Sequence, residues 1–359
     1  MVQNPIRAYA VIAVALVCLL IAFVVIQMRF PAYPRATSAR ALSQSYNHFN
    51  AGELDQAIAT ADALLVAEPN SVDALLAKAA ALAQKGSLEF KESIYAPQAI
   101  ELSARALLID PSSAEAWRLI GYSYEIMQQY PDAHVAYENA IALDPNNAAA
   151  ISQDAHAYDL QSNDVRAEAG YLRALALAPD LEQARMGLAR IYYRQDKLTQ
   201  ALPLYLQIAE SSRNVRLRAE AAYSAGIIQG ALGQHAEALA SMQTATTIDP
   251  TYALGWVGYG SEAFTAALDA TSALTLEQRN DMITTSMSAL DKAISINKNQ
   301  SAAYFKFGVQ LAALGQKDVG VQMLMGAKQV VPLDITLNAA DKANMLAEIS
   351  AALTIISEQ

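Results

Sequence analysis

Cysteine and histidine are scarce in this 359-residue sequence, and their scarcity excludes several kinds of chemistry. The single cysteine, Cys18, lies within an apolar N-terminal run, so the rest of the chain cannot form disulfides, cysteine-ligated metal sites or a cysteine nucleophile. The four histidines are dispersed, at His48, His134, His156 and His235. No glycine-rich phosphate loop and no Ser-His-Asp arrangement accompanies them. The sequence therefore predicts no enzyme activity, no cofactor and no metal ion.

Glycine and proline are also few, at 15 and 12 residues, while alanine and leucine are abundant. A chain with few helix breakers and many strong helix formers is typical of an all-α protein. The net charge is −10, and no acidic residue precedes Glu53, so the chain after the apolar run is strongly acidic. Binding to nucleic acid requires clustered lysine and arginine. The charge balance therefore excludes nucleic acid as a partner.

A single long apolar run, residues 8–28, carries no charge and is bracketed by Arg7 and Arg29. As a helix it would span roughly 30 Å, which matches the hydrocarbon core of a bilayer. We therefore expect a transmembrane anchor after a short tail at residues 1–7. Cleavage as a signal peptide is the alternative, which the length of the run disfavours. We expect a single-pass protein of the inner (cytoplasmic) membrane whose body lies on the extracytoplasmic, periplasmic side, after a proline-containing spacer at residues 29–37. A cytoplasmic body is the alternative, which Arg29, Arg35 and Arg40 after the run favour by the positive-inside rule.

The clearest motif occupies residues 114–145. Both of its halves place aromatic and small residues at helical spacing, at Trp117, Ile120, Gly121, Tyr124, Ala133, Tyr137 and Ala140. Asp144 and Pro145 then end the second helix, because proline lacks the N–H donor and disfavours helix in the residue before it. A glycine that faces an aromatic ring lets two helices approach closely. These residues match the tetratricopeptide repeat pattern, with only Ile120 in place of leucine, and the segment resembles that family.

The same register extends over most of the chain and predicts eight repeat units. We place them at residues 38–69, 72–111, 114–145, 148–179, 182–213, 219–250, 253–298 and 301–332. A last helix at residues 338–357, capped by Asn338, carries one apolar stripe and would close the array. The resemblance implies an all-α fold, a right-handed superhelix (α-solenoid) of about eight helix-turn-helix repeats. The large aromatic residues at core positions would pack inside it: Trp117, Tyr124, Tyr137, Tyr158 and Tyr171.

Two units are longer than the 34-residue period of the family. Their extra residues, at 86–97 and 265–285, are predicted to lie between the two helices of a unit and to contact a partner along one edge. Thr275 and Gln278 have the spacing of a capping box, so the second helix of the seventh unit is predicted to begin early. A short link is predicted before residue 219.

In tetratricopeptide proteins the first helix of each unit lines a concave groove that binds the partner, and the resemblance implies the same here. The family's ligand-facing positions fall on Arg118, Tyr122, Glu125, His156, Asp159, Met186, Arg190, Tyr193, Arg194, Tyr223 and Ile227. Tyrosine and arginine are frequent among residues that dominate binding energy. Packing against a neighbouring repeat is the alternative role for these side chains. His156 and Asp159 lie one turn apart, but two ligands are too few to hold a metal ion.

The sequence thus predicts a membrane-anchored scaffold or adaptor that binds a protein or peptide segment in its groove and has no small-molecule substrate. The layout resembles anchored bacterial tetratricopeptide proteins of cell-envelope assembly. One alternative is a structural subunit of a larger envelope machine, such as a pilus, secretion or surface assembly. Another is an enzyme whose repeats recruit its substrate, but the repeats leave no room for a catalytic domain.

Overall fold

The computed structural model describes residues 35–269 and 273–358. The predicted anchor at residues 8–28 and the tail before it lie outside the described residues. Within the described ranges the chain forms 17 α-helices and one short 3₁₀ turn, Val331–Leu333, and no strand. No helix among them is both long and apolar enough to cross a membrane. The prediction of an all-α fold is confirmed for this part of the chain.

The helices follow one another in pairs. Numbered in chain order they are α1 (Arg35–Asn50), α2 (Leu54–Ala67), α3 (Val72–Glu89), α4 (Glu92–Ile109), α5 (Ala114–Ile126), α6 (Tyr130–Leu143), α7 (Ala148–Leu160), α8 (Asp164–Leu177), α9 (Glu182–Arg194), α10 (Leu198–Ser211), α11 (Val215–Ala231), α12 (His235–Ile248), α13 (Ala253–Leu268), α14 (Leu276–Ile296), α15 (Ser301–Ala313), α16 (Lys317–Val330) and α17 (Ala339–Glu358). Each predicted repeat unit contains two consecutive helices, and α17 follows the last unit. Pairs such as α5 with α6 and α11 with α12 pack against each other.

Side-chain caps explain where several helices begin. The side chain of Ser113 accepts a hydrogen bond from the backbone N–H of Ala116 at 3.2 Å and so caps α5. The side chain of Asn214 caps α11 in the same way, by accepting from Leu217 N at 3.0 Å. Such a cap satisfies one of the backbone N–H groups that a helix leaves unpaired at its start. Short polar residues therefore determine these helix starts locally.

Two helix starts predicted near the C-terminal end are confirmed. Thr275 Oγ1 accepts from Gln278 N at 3.2 Å and Gln278 Oε1 accepts from Thr275 N at 2.9 Å, which completes the capping box of the 21-residue helix α14. Asn338 Oδ1 accepts from Asp341 N at 2.9 Å at the start of α17. The apolar stripe of α17 packs on α16 around Ile349, which is fully buried.

The extra residues of the second unit lengthen its helices, so the prediction of a loop at residues 86–97 is wrong, whereas their contact with a partner stays a prediction. Helices α3 and α4 have 18 residues each and are joined by Phe90 and Lys91 alone, whereas α5 and α6 have 13 and 14. Pro97 lies inside α4, where proline removes a single backbone hydrogen bond. The other residue that suggested a loop, Gly86, remains helical at the close approach of the two helices.

Three other boundaries differ from the predictions. Helix α1 begins at Arg35, so the last three residues of the spacer predicted at 29–37 are helical. Helix α11 begins at Val215 because Asn214 supplies its cap, so the link predicted before residue 219 is shorter and the helix is longer by about one turn. Most of the insertion predicted at 265–285 is likewise helical, within α13 and α14.

Contacts divide the chain into two compact units whose boundary lies at Tyr158, inside α7. In the first unit, Gly121 on α5 faces Tyr137 on α6, and a Cβ atom at this glycine would lie 2.6 Å from the ring. In the second unit, Gly187 on α9 is covered by the ring of Tyr171 on α8. Both rings are almost fully buried, so their predicted packing role is confirmed. The other aromatic residues predicted in the core are half-buried: Trp117, Tyr124 and Tyr158.

Candidate functional site

A pocket of about 330 Å³ lies among α9, α10 and α11. We refer to it as the tyrosine pocket and define it by its lining residues, Tyr193, Tyr205, Tyr223, Ser224 and Ile227. Three of these five, Tyr193, Tyr223 and Ile227, are residues predicted to line the groove. The structure therefore brings together predicted residues from the fifth and sixth repeat units.

The three helices contribute differently to the walls of the pocket. Tyr223 and Ile227 are four residues apart on α11, so their side chains lie on the same side of that helix. Tyr193 stands near the end of α9 and is 44% exposed, whereas Tyr205 on α10 is buried within the core that α9, α10 and α11 share. The pocket thus has a buried wall and an exposed aromatic rim.

The ring of Tyr223 is held in place by its neighbours. Its centroid lies 5.7 Å from that of Tyr252 with an angle of 86° between the rings, an edge-to-face arrangement that aromatic pairs favour. Gly258 leaves room for the ring, since a Cβ atom there would lie 2.7 Å from it. The guanidinium of Arg216 lies over the ring of Tyr252, 4.1 Å from its centroid, and Arg216 Nη1 is 3.1 Å from Asp249 Oδ2. This wall of the pocket is therefore pre-organised.

The phenols of Tyr205 and Tyr223 remain neutral at physiological pH. Burial raises the pKa of Tyr205 to about 12, against the opposing charge of Arg190. Burial also raises the pKa of Tyr223. Protonated phenols can both donate and accept hydrogen bonds. The arrangement therefore suits an apolar or aromatic side chain that carries at most a small polar group.

Three other predicted residues form one ion-pair cluster beside α9. Arg190 Nη2 lies 3.0 Å from Asp159 Oδ2, and Arg194 Nη2 lies 2.5 Å from Asp159 Oδ1. Arg194 also lies 2.7 Å from Asp164 Oδ1. Two carboxylates thus compensate the charges of the two arginines. The side chain of Asp159 is almost completely buried. The cluster ties α7 to α8 and α9, and its charges are compensated within the protein.

Glu125 is the centre of a second polar cluster, in the first compact unit. Its side chain is buried, accepts a hydrogen bond from Tyr137 Oη at 2.8 Å, and lies 2.8 Å from His156 Nδ1. Burial, followed by the charge of Glu125, raises the pKa of Tyr137 well above its ordinary value. Glu125 and His156 therefore connect α5, α6 and α7, which is the packing role that was the alternative to groove exposure.

The remaining predicted residues also have partners within the protein. Arg118 donates to Glu115 at 2.7 Å and to Gln153 at 2.8 Å, so it links α5 to α7. Tyr122 is half-buried against the core of α3 and α4. Met186 is buried in the core of α9, α10 and α11. Three of the eleven predicted residues line the tyrosine pocket.

Sequence reasoning missed Tyr205 and Ser224. Tyr205 lies on the second helix of its unit, at a position that the repeat pattern assigns to the core, and a buried ring can still form the wall of a cavity. Ser224 follows Tyr223 directly, and adjacent helical residues normally do not face the same point. No local signal distinguishes these two residues, because the pocket arises only where α10 meets α11.

Metal binding has no support in the described part of the chain. No group of three or more histidine, cysteine, aspartate or glutamate side chains within these residues is arranged to hold an ion. The two residues considered as a weak metal pair have protein partners instead. His156 lies against Glu125, and Asp159 pairs with two arginines.

Similarity to known proteins lies in the repeats. Two family models, both described as tetratricopeptide repeat, match the chain, one at residues 114–147 and the other at residues 42–89, 165–215 and 186–253. The comparison with curated proteins gave no match. The matched segments fall in both compact units of the chain.

Solved structures are similar to this chain at low sequence identity, and one of those that follow has a TM-score above 0.5. The APC/C hetero-tetramer Cut9–Hcn1 is similar over 90% of this chain and 58% of that chain, with 13% identity and a TM-score of 0.59. YrrB, described as a tetratricopeptide protein with an unusual peptide-binding site, has 19% identity over 57% of this chain and 96% of its own, with a TM-score of 0.44. Pseudomonas aeruginosa pilF has 16% identity over 65% of this chain and 98% of its own, with a TM-score of 0.49. With its helical hairpins, its glycine–tyrosine packing and the matched family models, the chain belongs to the tetratricopeptide repeat family.

Proposed function

We propose that this protein is a scaffold that binds a segment of another protein at the tyrosine pocket and acts without catalysis. The observation that carries the proposal is the pocket itself, in which three tyrosine rings and Ile227 surround about 330 Å³. Pockets of this size with mainly apolar walls and a few polar groups are typical ligand sites. Proteins of this family are in general scaffolds for protein–protein interaction.

The chemistry of the pocket favours a neutral, partly apolar anchor from the partner. The phenols of Tyr205 and Tyr223 are uncharged, and the nearby arginines are already paired with carboxylates. Exposed tyrosines are rigid and amphipathic, and they often dominate the binding energy of an interface. A segment that places an aliphatic or aromatic side chain against Tyr193 and Ile227 would use these properties.

We further propose that residues 8–28 anchor the scaffold in a bacterial inner membrane, with the repeats on the periplasmic side, where it holds partners during assembly of envelope complexes. The support is the uncharged apolar run, which is long enough to cross a bilayer. The full chain should then stay with membranes during alkaline carbonate extraction. A protease should reach the repeats once the outer barrier is opened. Extraction into the supernatant, or protection until the inner membrane is broken, would contradict this proposal.

Binding at the pocket can be tested by photo-crosslinking in the full chain. A photoreactive phenylalanine analogue is placed at position 193, at position 227 and, as a control, at Tyr46, which is exposed to nearly the same degree as Tyr193. Capture of one protein from both pocket positions, and not from the control, is the expected result. Peptides that tile the captured protein are then titrated to find the bound segment.

The captured segment allows a quantitative comparison of variants. Tyr193→Ala should weaken its binding about tenfold or more, which corresponds to about 1.4 kcal/mol. Tyr46→Ala is a matched control, since it removes a tyrosine of similar exposure in the other compact unit, and it should leave the affinity unchanged. Equal losses in the two variants, or no loss in either, would contradict binding at the tyrosine pocket.

A further inference from the structure

The turns between the two helices of a repeat share a backbone feature. In seven of the eight units described, one residue of the turn adopts the left-handed conformation: Gly52, Phe90, Gln128, Ser162, Asp196, Gly233 and Gly315. Glycine adopts this conformation without strain, and short polar residues tolerate it better than bulky ones do. Six of the seven turns therefore use glycine or a polar residue, and one uses phenylalanine.

Phe90 has no structural reason to be an aromatic residue. Its φ and ψ angles are 54° and 40°, and its backbone N–H bonds to Gly86 O, as the turn requires of any residue in this place. Packing of the ring does not offset this strain, because the residue is 82% exposed. A glycine would make the same turn with less strain. The ring is therefore displayed towards solvent at a cost to stability, which is typical of a functional residue.

Two more apolar residues surround Phe90. Leu88 is 60% exposed and Ile94 is 54% exposed. We refer to Leu88, Phe90 and Ile94 as the apolar tip. The tip stands at the end of the lengthened helices α3 and α4, which have five and four residues more than α5 and α6, so it extends roughly 6 Å beyond a regular repeat hairpin.

The lysines next to the apolar tip are paired with carboxylates. Lys91 Nζ lies 3.0 Å from Glu89 Oε2, and Lys85 pairs with Asp55 and Glu89. Glu92, the first residue of α4, adds a further negative charge. The tip is therefore an apolar projection without excess positive charge. An anionic lipid surface is not its natural partner, because the chain has a net charge of −10 and such surfaces attract basic segments.

We propose that the apolar tip of one copy of this chain inserts into the tyrosine pocket of a second copy. This inference rests on the proposed function, since it names the kind of segment that the pocket takes. A cavity of about 150 Å³ suffices to hold benzene, and the pocket has about 330 Å³, which leaves room for the Phe90 ring and part of a neighbour. The Phe90 ring would meet the rings of Tyr193 and Tyr223 edge to face, an arrangement that aromatic pairs favour.

The electrostatics and the topology of this contact have consequences. Lys91 follows Phe90 directly and is half-exposed beside its partner Glu89, and Glu220 lies one turn before Ser224 on α11, so Lys91 would approach Glu220 at the rim in addition to Glu89. The tip and the pocket are different surfaces, so the contact is head-to-tail and each copy can bind two others. Association should therefore continue beyond a dimer.

The test uses the full chain in a mild detergent and measures its mass by light scattering during size exclusion. The wild type should form species larger than dimers as its concentration rises. Phe90→Gly removes the aromatic ring of the apolar tip, and Tyr193→Ala removes part of the rim of the tyrosine pocket. Each variant alone should stay monomeric up to concentrations about tenfold higher than those at which the wild type associates. A mixture of the two variants keeps one intact tip and one intact pocket, so it should form dimers and nothing larger. Val66→Ala, a change at an exposed apolar residue of α2, should behave as the wild type.

Several outcomes would overturn the proposal. The first is a wild type that stays monomeric at about 100 μM, because a contact of micromolar affinity would be saturated at that concentration. Association that survives both Phe90→Gly and Tyr193→Ala would also contradict the proposal, as would a mixture of the two variants that does not dimerise. Thermal unfolding of each variant shows that it is folded. A monomeric wild type whose position 193 still crosslinks to a foreign protein would end this inference and leave the proposed function standing.

Discussion

Asp334 organises the start of helix α15 although 33 residues separate it from Ser301. Its Oδ2 atom accepts hydrogen bonds from the backbone N–H and the hydroxyl of Ser301 at 2.9 and 2.7 Å. Its Oδ1 atom accepts two more from Thr336, at 3.0 and 2.6 Å. Burial acts to raise the pKa of Asp334, but these hydrogen bonds outweigh it and hold the pKa below its ordinary value.

Replacing Asp334 should therefore destabilise the C-terminal repeats. Asp334→Ala leaves the buried N–H and hydroxyl of Ser301 without an acceptor and should lower the free energy of unfolding by about 3 kcal/mol. The folded-state pKa lies below the unfolded value of about 3.9, so this stability is present above about pH 4 and is lost as the pH falls through the folded-state pKa. Urea unfolding at pH 7 and below pH 4 measures the difference.

The control for this prediction is Asp318→Ala. Asp318 is exposed on α16, so its removal should change the free energy of unfolding by no more than about 0.5 kcal/mol. A difference between wild type and Asp334→Ala that stays constant down to the lowest pH would contradict the assigned role of the carboxylate.

Two helical glycines should respond oppositely to the same substitution. Gly121→Ala places a Cβ atom 2.6 Å from the buried ring of Tyr137 and should lower the free energy of unfolding by about 2 kcal/mol. Gly326→Ala places its Cβ atom 3.4 Å from the ring of Tyr304, an ordinary contact, and should raise the free energy of unfolding by up to about 1 kcal/mol. Chemical denaturation of both variants distinguishes close packing from helix propensity, and similar effects in the two would show that the glycine–tyrosine contact is not important.

The raised pKa of Tyr205 should make the protein less stable at alkaline pH. Its folded-state pKa of about 12 exceeds the unfolded value of about 10, so the contribution of this group is present below about pH 10 and is lost as the pH rises towards 12. The loss reaches about 1.4 kcal/mol at pH 11. Thermal unfolding of wild type and Tyr205→Phe between pH 8 and 11 tests this, because the phenylalanine variant should lose less stability over that interval. Parallel curves for the two proteins would contradict the raised pKa.

Phe90→Gly should stabilise the protein, which is unusual for the removal of a large side chain. The left-handed conformation costs a bulky residue about 1–2 kcal/mol, and glycine avoids this cost. Glycine also loses more conformational freedom on folding, which offsets part of the benefit, so a net gain of about 1 kcal/mol in the free energy of unfolding is expected. Gly315→Ala is the reverse control, because its φ of 83° would strain an alanine, and it should lower the free energy of unfolding by a similar amount. A loss of stability in Phe90→Gly would show that the ring packs in the folded state.

Much of the fold could be predicted because its signals are local. The capping box of Thr275 and Gln278 and the cap at Asn338 each involve residues three positions apart, and both are present in the structure. The packing of Tyr137 on Gly121 was also predictable, since the repeat pattern places a large and a small residue on facing helices within one unit. Such features need no knowledge of distant contacts.

The site was predicted only in part because its residues interact with residues about thirty positions away. Arg190 reaches Asp159 and is neutralised there, although the family positions suggest an exposed arginine. Tyr205 lies at a position that the repeat pattern gives to the core and also lines the pocket. Position in the repeat tells which side of a helix a residue occupies. It does not tell whether the neighbouring unit covers the side chain, pairs it or leaves a cavity beside it.

The sequence alone determined that the described chain is a series of helical hairpins, since apolar periodicity, small residues opposite aromatic rings, and local caps act within one or two turns of a helix. Only the tertiary structure decided that the extra residues of the second unit lengthen α3 and α4 and expose Phe90 at their end. It also decided that Tyr193, Tyr223 and Ile227 meet at a pocket while Arg118, Glu125 and Asp159 are engaged within the protein. The reason is physical: a helix forms from its own hydrogen bonds, whereas a pocket or an exposed tip depends on which side chains its neighbours cover.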